Sequence, residues 1–324
     1  MPKVYFVIPC YNEEEVLPET IKRLSLKLMS LIKDGKASED SRMIFVDDGS
    51  KDKTWSIISA YSKENQFVGG VKLAHNRGHQ NALLSGLMTA REENCDCVIS
   101  LDADLQDDID VIDQFIDKYL EGCEVVYGVR SSRKKDTVFK RTTAQGYYKF
   151  MKMLGVDIVY NHADYRLMGS KALDGLSEYK EVNLFLRGIV PLIGYRSDYV
   201  YYERSERFAG ESKYPLKKMI KFAVDGITSF SVKPLKIISN IGFFICLLSI
   251  IGFIYALVSF CMGSAVTGWA STICSIWFLG GLQMLCIGIV GTYVGKIYNE
   301  VKQRPRYRIE EKIINKAKES EKKE

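Results

Sequence analysis

A chain of 324 residues, 47% hydrophobic and 26% charged with a formal charge of +5, has a globular composition with room for one large domain or two smaller ones. The placement of the charge says more than its sum: residues 237–295 contain no Asp, Glu, Lys, Arg or His, a run of about 60 where roughly 20 suffice to cross a bilayer once. The eight cysteines exclude a disulfide or zinc scaffold, because Cys246, Cys261, Cys274 and Cys286 lie in that apolar run and Cys95 and Cys97 have no second pair at zinc-ribbon spacing. A reduced, cytoplasm-facing polar part is the simpler expectation.

Met1-Pro2-Lys3 leads straight into a strand, so no signal peptide is expected. Residues 4–8 form a β-rich run predicted to end at Pro9, and residues 14–32 carry apolar side chains at helical spacing. Residues 43–46 read as a second strand and 52–61 as a second helix, opening with an acidic N-cap candidate. The pair repeats at 67–73 and 81–91. A further apolar strand then stops at Asp102, and 124–127 reads as another strand. Strands alternating with helices predict a parallel sheet of Rossmann-like winding. Neither G-x-G-x-x-G nor G-x-x-x-x-G-K-[ST] occurs, so ordinary dinucleotide and P-loop sites are not expected, and no nucleic-acid partner is indicated.

From Lys213 the character changes. Lys217, Lys218 and Lys221 alternate with Leu216, Met219, Ile220 and Phe222, the pattern of a basic amphipathic helix in a membrane interface. The apolar run divides into 237–260 and 269–294, each long enough to span. Lys233 and Lys236 precede the first half, and Lys296, Lys302, Arg304, Arg306 and Arg308 flank the second. The connection has no Lys or Arg, which predicts a hairpin with both flanks cytoplasmic. Residues 310–324 are charged and expected to be frayed or disordered. The expected organisation is therefore a domain over 1–212, juxtamembrane helices over 213–236, a two-helix hairpin over 237–295 and a basic tail over 296–324.

Four polar groups fall where strands end: Pro9-Cys10-Tyr11-Asn12-Glu13-Glu14, Asp47-Asp48-Gly49-Ser50, Asp102-Ala103-Asp104-Leu105-Gln106-Asp107 and Tyr127-Gly128-Val129-Arg130. A turn explains any one of them. Carboxylates after several successive strands fit a nucleotide-plus-metal cleft better, since open α/β sheets bind ligands at the carboxyl ends of their strands. Paired carboxylates there can join a hard cation to substrate phosphates.

The first three of these motifs, taken in order, resemble the signature of glycosyltransferase family 2 on a GT-A fold, an α/β Rossmann-like domain. With the C-terminal hairpin, the chain is similar to bacterial polyisoprenyl-phosphate glycosyltransferases and dolichyl-phosphate mannose synthases. The resemblance implies that Pro9, Tyr11, Glu13 and Asp48 hold the uracil and ribose of a UDP-sugar, and that Asp102 lies near the ribose and sugar. It places Mg²⁺ or Mn²⁺ on Asp104 and Gln106. Arg130, with Arg141 as a less secure companion, would face the acceptor phosphate. Asp164 would be an active-site acid, either a base or a positioning group, and Arg207, Ser212 and Lys213 would close on the diphosphate. Asp107-Asp108-Ile109 stands where Asp-Pro-Pro is usual, which puts the rigidity of that loop in question.

The expected reaction is inverting transfer of a hexose, glucose or N-acetylglucosamine first, from a UDP-sugar to undecaprenyl phosphate at the cytoplasmic membrane face, for modification of cell-envelope glycans. The partners so implied are the UDP-sugar, the polyprenyl phosphate and the lipid bilayer, with a homo-oligomer left open. Two alternatives stay open as well: a processive polysaccharide synthase, and a catalytically inactive membrane-anchored nucleotide-sugar-binding protein. The chain has no Gln-x-x-Arg-Trp for the first, and its intact acidic motif speaks against the second. His75 and His79, around Asn76-Arg77-Gly78, read as structural or nucleotide-adjacent rather than catalytic.

Overall fold

The computed structural model describes residues 1–131, 162–204, 233–262 and 268–315. Its first compact unit contains, in chain order, β1 (Val4–Cys10), α1 (Leu17–Lys33), β2 (Arg42–Asp47), α2 (Thr54–Glu64), β3 (Val68–Leu73), α3 (His79–Glu92), β4 (Cys97–Ser100), α4 (Ile112–Leu120), β5 (Val125–Arg130), β6 (His162–Gly169), α5 (Ser170–Glu178), α6 (Leu186–Leu192), β7 (Ser197–Tyr202) and, from the C-terminal end, β8 (Ile309–Ile313). These strands form one sheet in the order β7-β5-β6-β4-β1-β2-β3-β8. β1 is buried along its whole length, as a strand covered on both faces must be. α1 lays Leu17, Ile21, Leu24, Leu28 and Leu31 on the core, a helical stripe in which each full burial contributes about 1.5–3 kcal/mol. α3 packs closely on the sheet: a Cβ at Gly86 would stand 2.4 Å from Val7 Cγ1 and 2.7 Å from Val46 Cγ2, so glycine lets this helix settle across β1 and β2.

Three expectations need correction. The sheet is mixed rather than parallel: β1 pairs in parallel with β2 and β4, and β2 with β3, but β6 runs antiparallel between β4 and β5. Hydrophobic pattern reports burial, not strand direction, so this insertion had no signature. Second, β1 passes through Pro9 to Cys10 instead of ending before it. Val7 O accepts from Leu101 N on the β4 side and Cys10 O from Asp48 N on the β2 side. By this alternation the N–H that Pro9 lacks would point toward β4, where pairing has already ended at Val7–Ser100, so the proline costs no ladder bond.

Third, residues 309–313 are not frayed. They form β8, antiparallel to β3. Ile309 and Ile313 are half-buried, and the charges between them find partners: Lys72 with Glu310 at 3.0 Å, Trp55 Nε1 donating to Glu311 at 3.1 Å, and Lys312 with Glu93 at 2.9 Å. Charge run and edge strand are compatible, since charged side chains are how exposed sheet edges are kept from pairing further.

The second unit is built on α7 (Lys233–Cys261) and α8 (Trp269–Lys302), two helices of 29 and 34 residues that match the two apolar halves of the sequence. Large apolar side chains such as Phe243, Ile251, Tyr255, Phe278 and Ile287 are more than half exposed. Among the described residues one helical segment, Phe278–Lys302, is long and apolar enough to cross a membrane by length and composition.

Candidate active site

β1 and β4 are parallel neighbours whose connections leave in opposite directions, so their carboxyl ends flank the switch point of the sheet. The loops after β1 and β2 are laced together there. Asn12, at φ 53°, takes its N–H to Ser50 Oγ and accepts from Lys51 N; Glu13 N donates to Thr54 Oγ1. Gly49 makes the turn possible: its φ is +65°, and a Cβ would lie 2.6 Å from the backbone nitrogen of Asn76. Asp48 is buried, with Oδ1 accepting from Arg77 N at 2.7 Å and Oδ2 from Gly78 N at 2.9 Å. Burial pushes its carboxyl above the ordinary 3.8, against the pull of those two N–H groups. Asp48 thereby fixes the loop that delivers His79, the first residue of α3.

After β4 the chain turns at Leu105, which takes a left-handed φ of 56°. Such a conformation in a branched residue is held at a cost by its surroundings. Asp104 Oδ1 accepts from Gln106 N across the turn, and Gln106 Oε1 accepts from Arg204 Nη2. The next two residues are also tied down. Tyr202 donates to Asp107 at 2.6 Å, Tyr165 donates to the carbonyl of Asp108, and the Asp108 side chain caps the 3-10 turn at Ile109–Val111. These bonds brace the loop although it has Asp108 and Ile109 where prolines were expected. Burial and the nearby Asp102 raise the Asp107 carboxyl to about 6. Asp102 itself stays about one-third exposed.

The third contribution comes from β6. Asp164 is buried, and its Oδ1 accepts from Arg166 Nη2 at 2.7 Å and from Arg187 Nε at 3.2 Å; its Oδ2 accepts from Arg187 Nη2 at 3.0 Å and faces His79 Nε2 at 3.4 Å. Burial alone would raise this carboxyl, but Arg187, His79 and Arg166 outweigh it and hold it well below the usual range. Gln80 joins the cluster to α6 by accepting from Leu186 N. Arg130, the last residue of β5, pairs in register with Tyr202 and acts electrostatically on Asp107.

Pro9, Tyr11, Glu13, Asp48, Asp102, Asp104, Gln106, Arg130 and Asp164 thus all come to one edge of the sheet. Arg141, Arg207, Ser212 and Lys213 lie outside the described residues, as does most of the expected amphipathic stretch. Sequence reasoning missed Arg166, Arg187 and Arg204, and it named His79 only as structural or nucleotide-adjacent. Arg166 stands two residues from Asp164 on one strand face, a spacing that could have flagged it; Arg187 carried no signal, because it reaches the site from a separate helix.

An α/β mixed sheet with a carboxylate-lined switch point and cationic partners is a GT-A-like fold, and the chain belongs to glycosyl transferase family 2, whose model matches residues 5–176. It is a glycosyltransferase. Among its relatives are the uncharacterized glycosyltransferase YkoT of Bacillus subtilis (strain 168), 55% identical over 97% of this chain and 93% of that protein. The prophage bactoprenol glucosyl transferase homolog of Escherichia coli (strain K12) is 38% identical over 94% and 97%, respectively. The bactoprenol glucosyl transferase of Shigella phage SfX is 38% identical over 95% and 98%. Among solved structures, glucosyl-3-phosphoglycerate synthase from Mycobacterium tuberculosis superposes with a TM-score of 0.44 at 16% identity, covering 71% of this chain and 79% of that one.

Proposed function

We propose that this glycosyltransferase moves a hexose from a UDP-sugar to a polyprenyl phosphate at the cytoplasmic face of a membrane, with inversion at the anomeric carbon. The observation that carries the reading is end-to-end similarity, at 38% identity, to proteins named bactoprenol glucosyl transferases. The acidic strand ends and the apolar helices agree with it. The hairpin of α7 and α8 would anchor the chain in the membrane that holds its acceptor, so the lipid phosphate need not leave its leaflet.

A lipid phosphate is already mostly ionised near neutral pH, with a second pKa around 6 as for phosphoserine, so the nucleophile needs no strong base. Asp164 fits that economy: a carboxylate clamped by two guanidinium groups positions its neighbours and takes no proton at neutral pH. Arg130 would orient the attacking phosphate through charge-assisted hydrogen bonds. Tyr11 and Glu13 would meet the base and ribose in the loop that Asp48 and Asn12 brace. Asp102, about one-third exposed at the switch point, would face the donor sugar.

The oxygen donors Asp104 and Gln106 suit a hard cation such as Mg²⁺ or Mn²⁺. Among the described residues no three His, Cys, Asp or Glu side chains converge on one point, so phosphate and water oxygens would complete the coordination. When bound there, the ion would offset charge developing on the leaving diphosphate. Gln106 would first have to release Arg204.

The test is a panel of UDP-sugars incubated with the full chain in membranes, undecaprenyl phosphate and Mg²⁺ or Mn²⁺. One labelled sugar on a lipid product supports the reading; a polymer, or UDP-sugar binding without turnover, overturns it. Asp104→Ala should lower transfer about 100- to 1,000-fold, the scale of losing a main electrostatic group in the transition state; full activity in that variant removes the metal assignment.

A further inference from the structure

β4 and β6 are antiparallel, and their register runs through Ser100 paired with Arg166. Continued by two residues, that ladder sets Asp102 across from Asp164. Two carboxylates directly opposite on an antiparallel pair repel. The residue between them is His79: its Nε2 stands 3.4 Å from Asp164 Oδ2 and 3.7 Å from Asp102 Oδ1. It is delivered there by the start of α3, which Asp48 pins through the backbone of Arg77 and Gly78.

We infer that His79 is a positioning residue of the transfer reaction, an imidazolium that bridges Asp164 to Asp102 and holds the Asp102 carboxylate toward the donor sugar. The inference rests on the proposed function for what Asp102 faces, but the bridge itself rests on geometry alone. Asp164 cannot be drawn toward Asp102 in its place, because Arg166 and Arg187 already hold both of its oxygens. Without the cation, Asp102 would turn toward solvent, leaving the donor pocket with a mobile carboxylate.

The charged groups acting on His79 are Asp48 from just past β2, Asp102 from just past β4, Asp164 from β6 and Arg187 from α6, with Arg166 paired to Asp164 behind it. Partial desolvation and Arg187 favour the neutral ring; Asp164 and Asp102 outweigh them, so its pKa lies above the ordinary 6.5. A raised histidine pKa means the bridge is complete at low pH and is lost as pH rises through that value. Transfer should therefore show an alkaline decline that belongs to His79.

Two measurements test this on the full chain in detergent. In histidine nuclear magnetic resonance, with three histidines to resolve, the signal removed by His79→Gln should titrate above 6.5. It should move down in Asp164→Asn and, by a smaller step, in Asp102→Asn, which keeps the test alive if the buried Asp164 variant does not fold. This readout needs no acceptor, so it stands even if the polyprenyl phosphate reading fails in the donor panel. In the transfer assay, His79→Gln should lower kcat about 100-fold, the cost of a misplacement near 1 Å, with a much smaller change in donor KM and with the alkaline decline abolished. A His79 signal that neither aspartate variant moves, or a His79→Gln enzyme with wild-type kcat and pH profile, overturns the inference.

Discussion

On the β3-β2-β1-β4 side of the sheet, the buried carboxylate of Asp48 is held by two backbone N–H groups from a neighbouring loop. On the β6-β5-β7 side, the buried carboxylate of Asp164 is held by the side chains of Arg166 and Arg187. The first arrangement buries a single charge, the carboxylate, against uncharged N–H groups just before a helix that need an acceptor anyway. The second puts a guanidinium with 1% of its side chain exposed beside a carboxylate with 8%, which is stable only while both are present. One side of the site is thus braced by backbone, the other by a charge network that fails as a unit.

The largest way to expose this difference is Asp164→Ala. It leaves Arg166 buried without its counter-ion and should destabilise the chain by about 3–5 kcal/mol, read as a large fall in melting temperature. Asp48→Ala strands only the N–H groups of Arg77 and Gly78, which lie on exposed residues and can find water, so its cost should sit near the low end of about 1–3 kcal/mol. If the two variants melt alike, the contrast between the two sides is wrong.

Ending the chain after Arg308 removes β8 from the same side as Asp48. That strips the edge of β3 along with the Lys72–Glu310 pair and the bond from Asn315 Nδ2 to Ser62 O at 2.6 Å. A loss of about 2 kcal/mol is expected from a few net hydrogen bonds and exposed ion pairs, together with faster exchange of the β3 amides, measured by hydrogen exchange. Unchanged protection of Gly70 and Val71 would mean that β8 contributes nothing to the sheet.

Acid separates the two sides in sign. The Asp164 carboxyl is depressed, so its stabilising contribution is complete above the ordinary 3.8 and is lost as pH falls through the lower folded value. The gap between wild type and Asp164→Asn should therefore close only below pH 3.8. Asp48 is raised by burial, so protonating it on the way down toward 3.8 stabilises the fold, and Asp48→Asn should remove that gain. Melting temperatures across a pH series check both directions. As the smallest effect, Glu19→Ala breaks only an exposed helix pair with Arg23 at 2.7 Å and should change stability by less than about 0.5 kcal/mol.

Much of the near side was legible in advance because its information is local. Strand, turn and carboxylate are contiguous in Ile8–Glu13, Val46–Ser50 and Leu101–Asp107, and each hydrophobic run points its motif to the same edge of a parallel sheet. The β6-β5-β7 side was legible only in Asp164 and in Arg130 at the end of β5. Asp164 could be named from its motif, but not the reversal of β6 that brings it opposite Asp102, nor Arg187, which arrives 23 residues later from α6. His79 was in view and read as structural or nucleotide-adjacent, because its own stretch of sequence contains neither of the two carboxylates it faces.

The apolar run, the strand–helix alternation and the acidic strand ends follow from residue order alone, since burial period and turn chemistry act over a few residues. The direction of β6, the return of the C-terminal segment as β8 and the reach of Arg187 to Asp164 depend on contacts between residues 23 to more than 200 apart and were decided only when the sheet closed. Charge suggested disorder for residues 310–313 because an isolated charged segment cannot bury enough to fold. Against the open edge of β3 it has both a ladder and counter-ions, and there it folds.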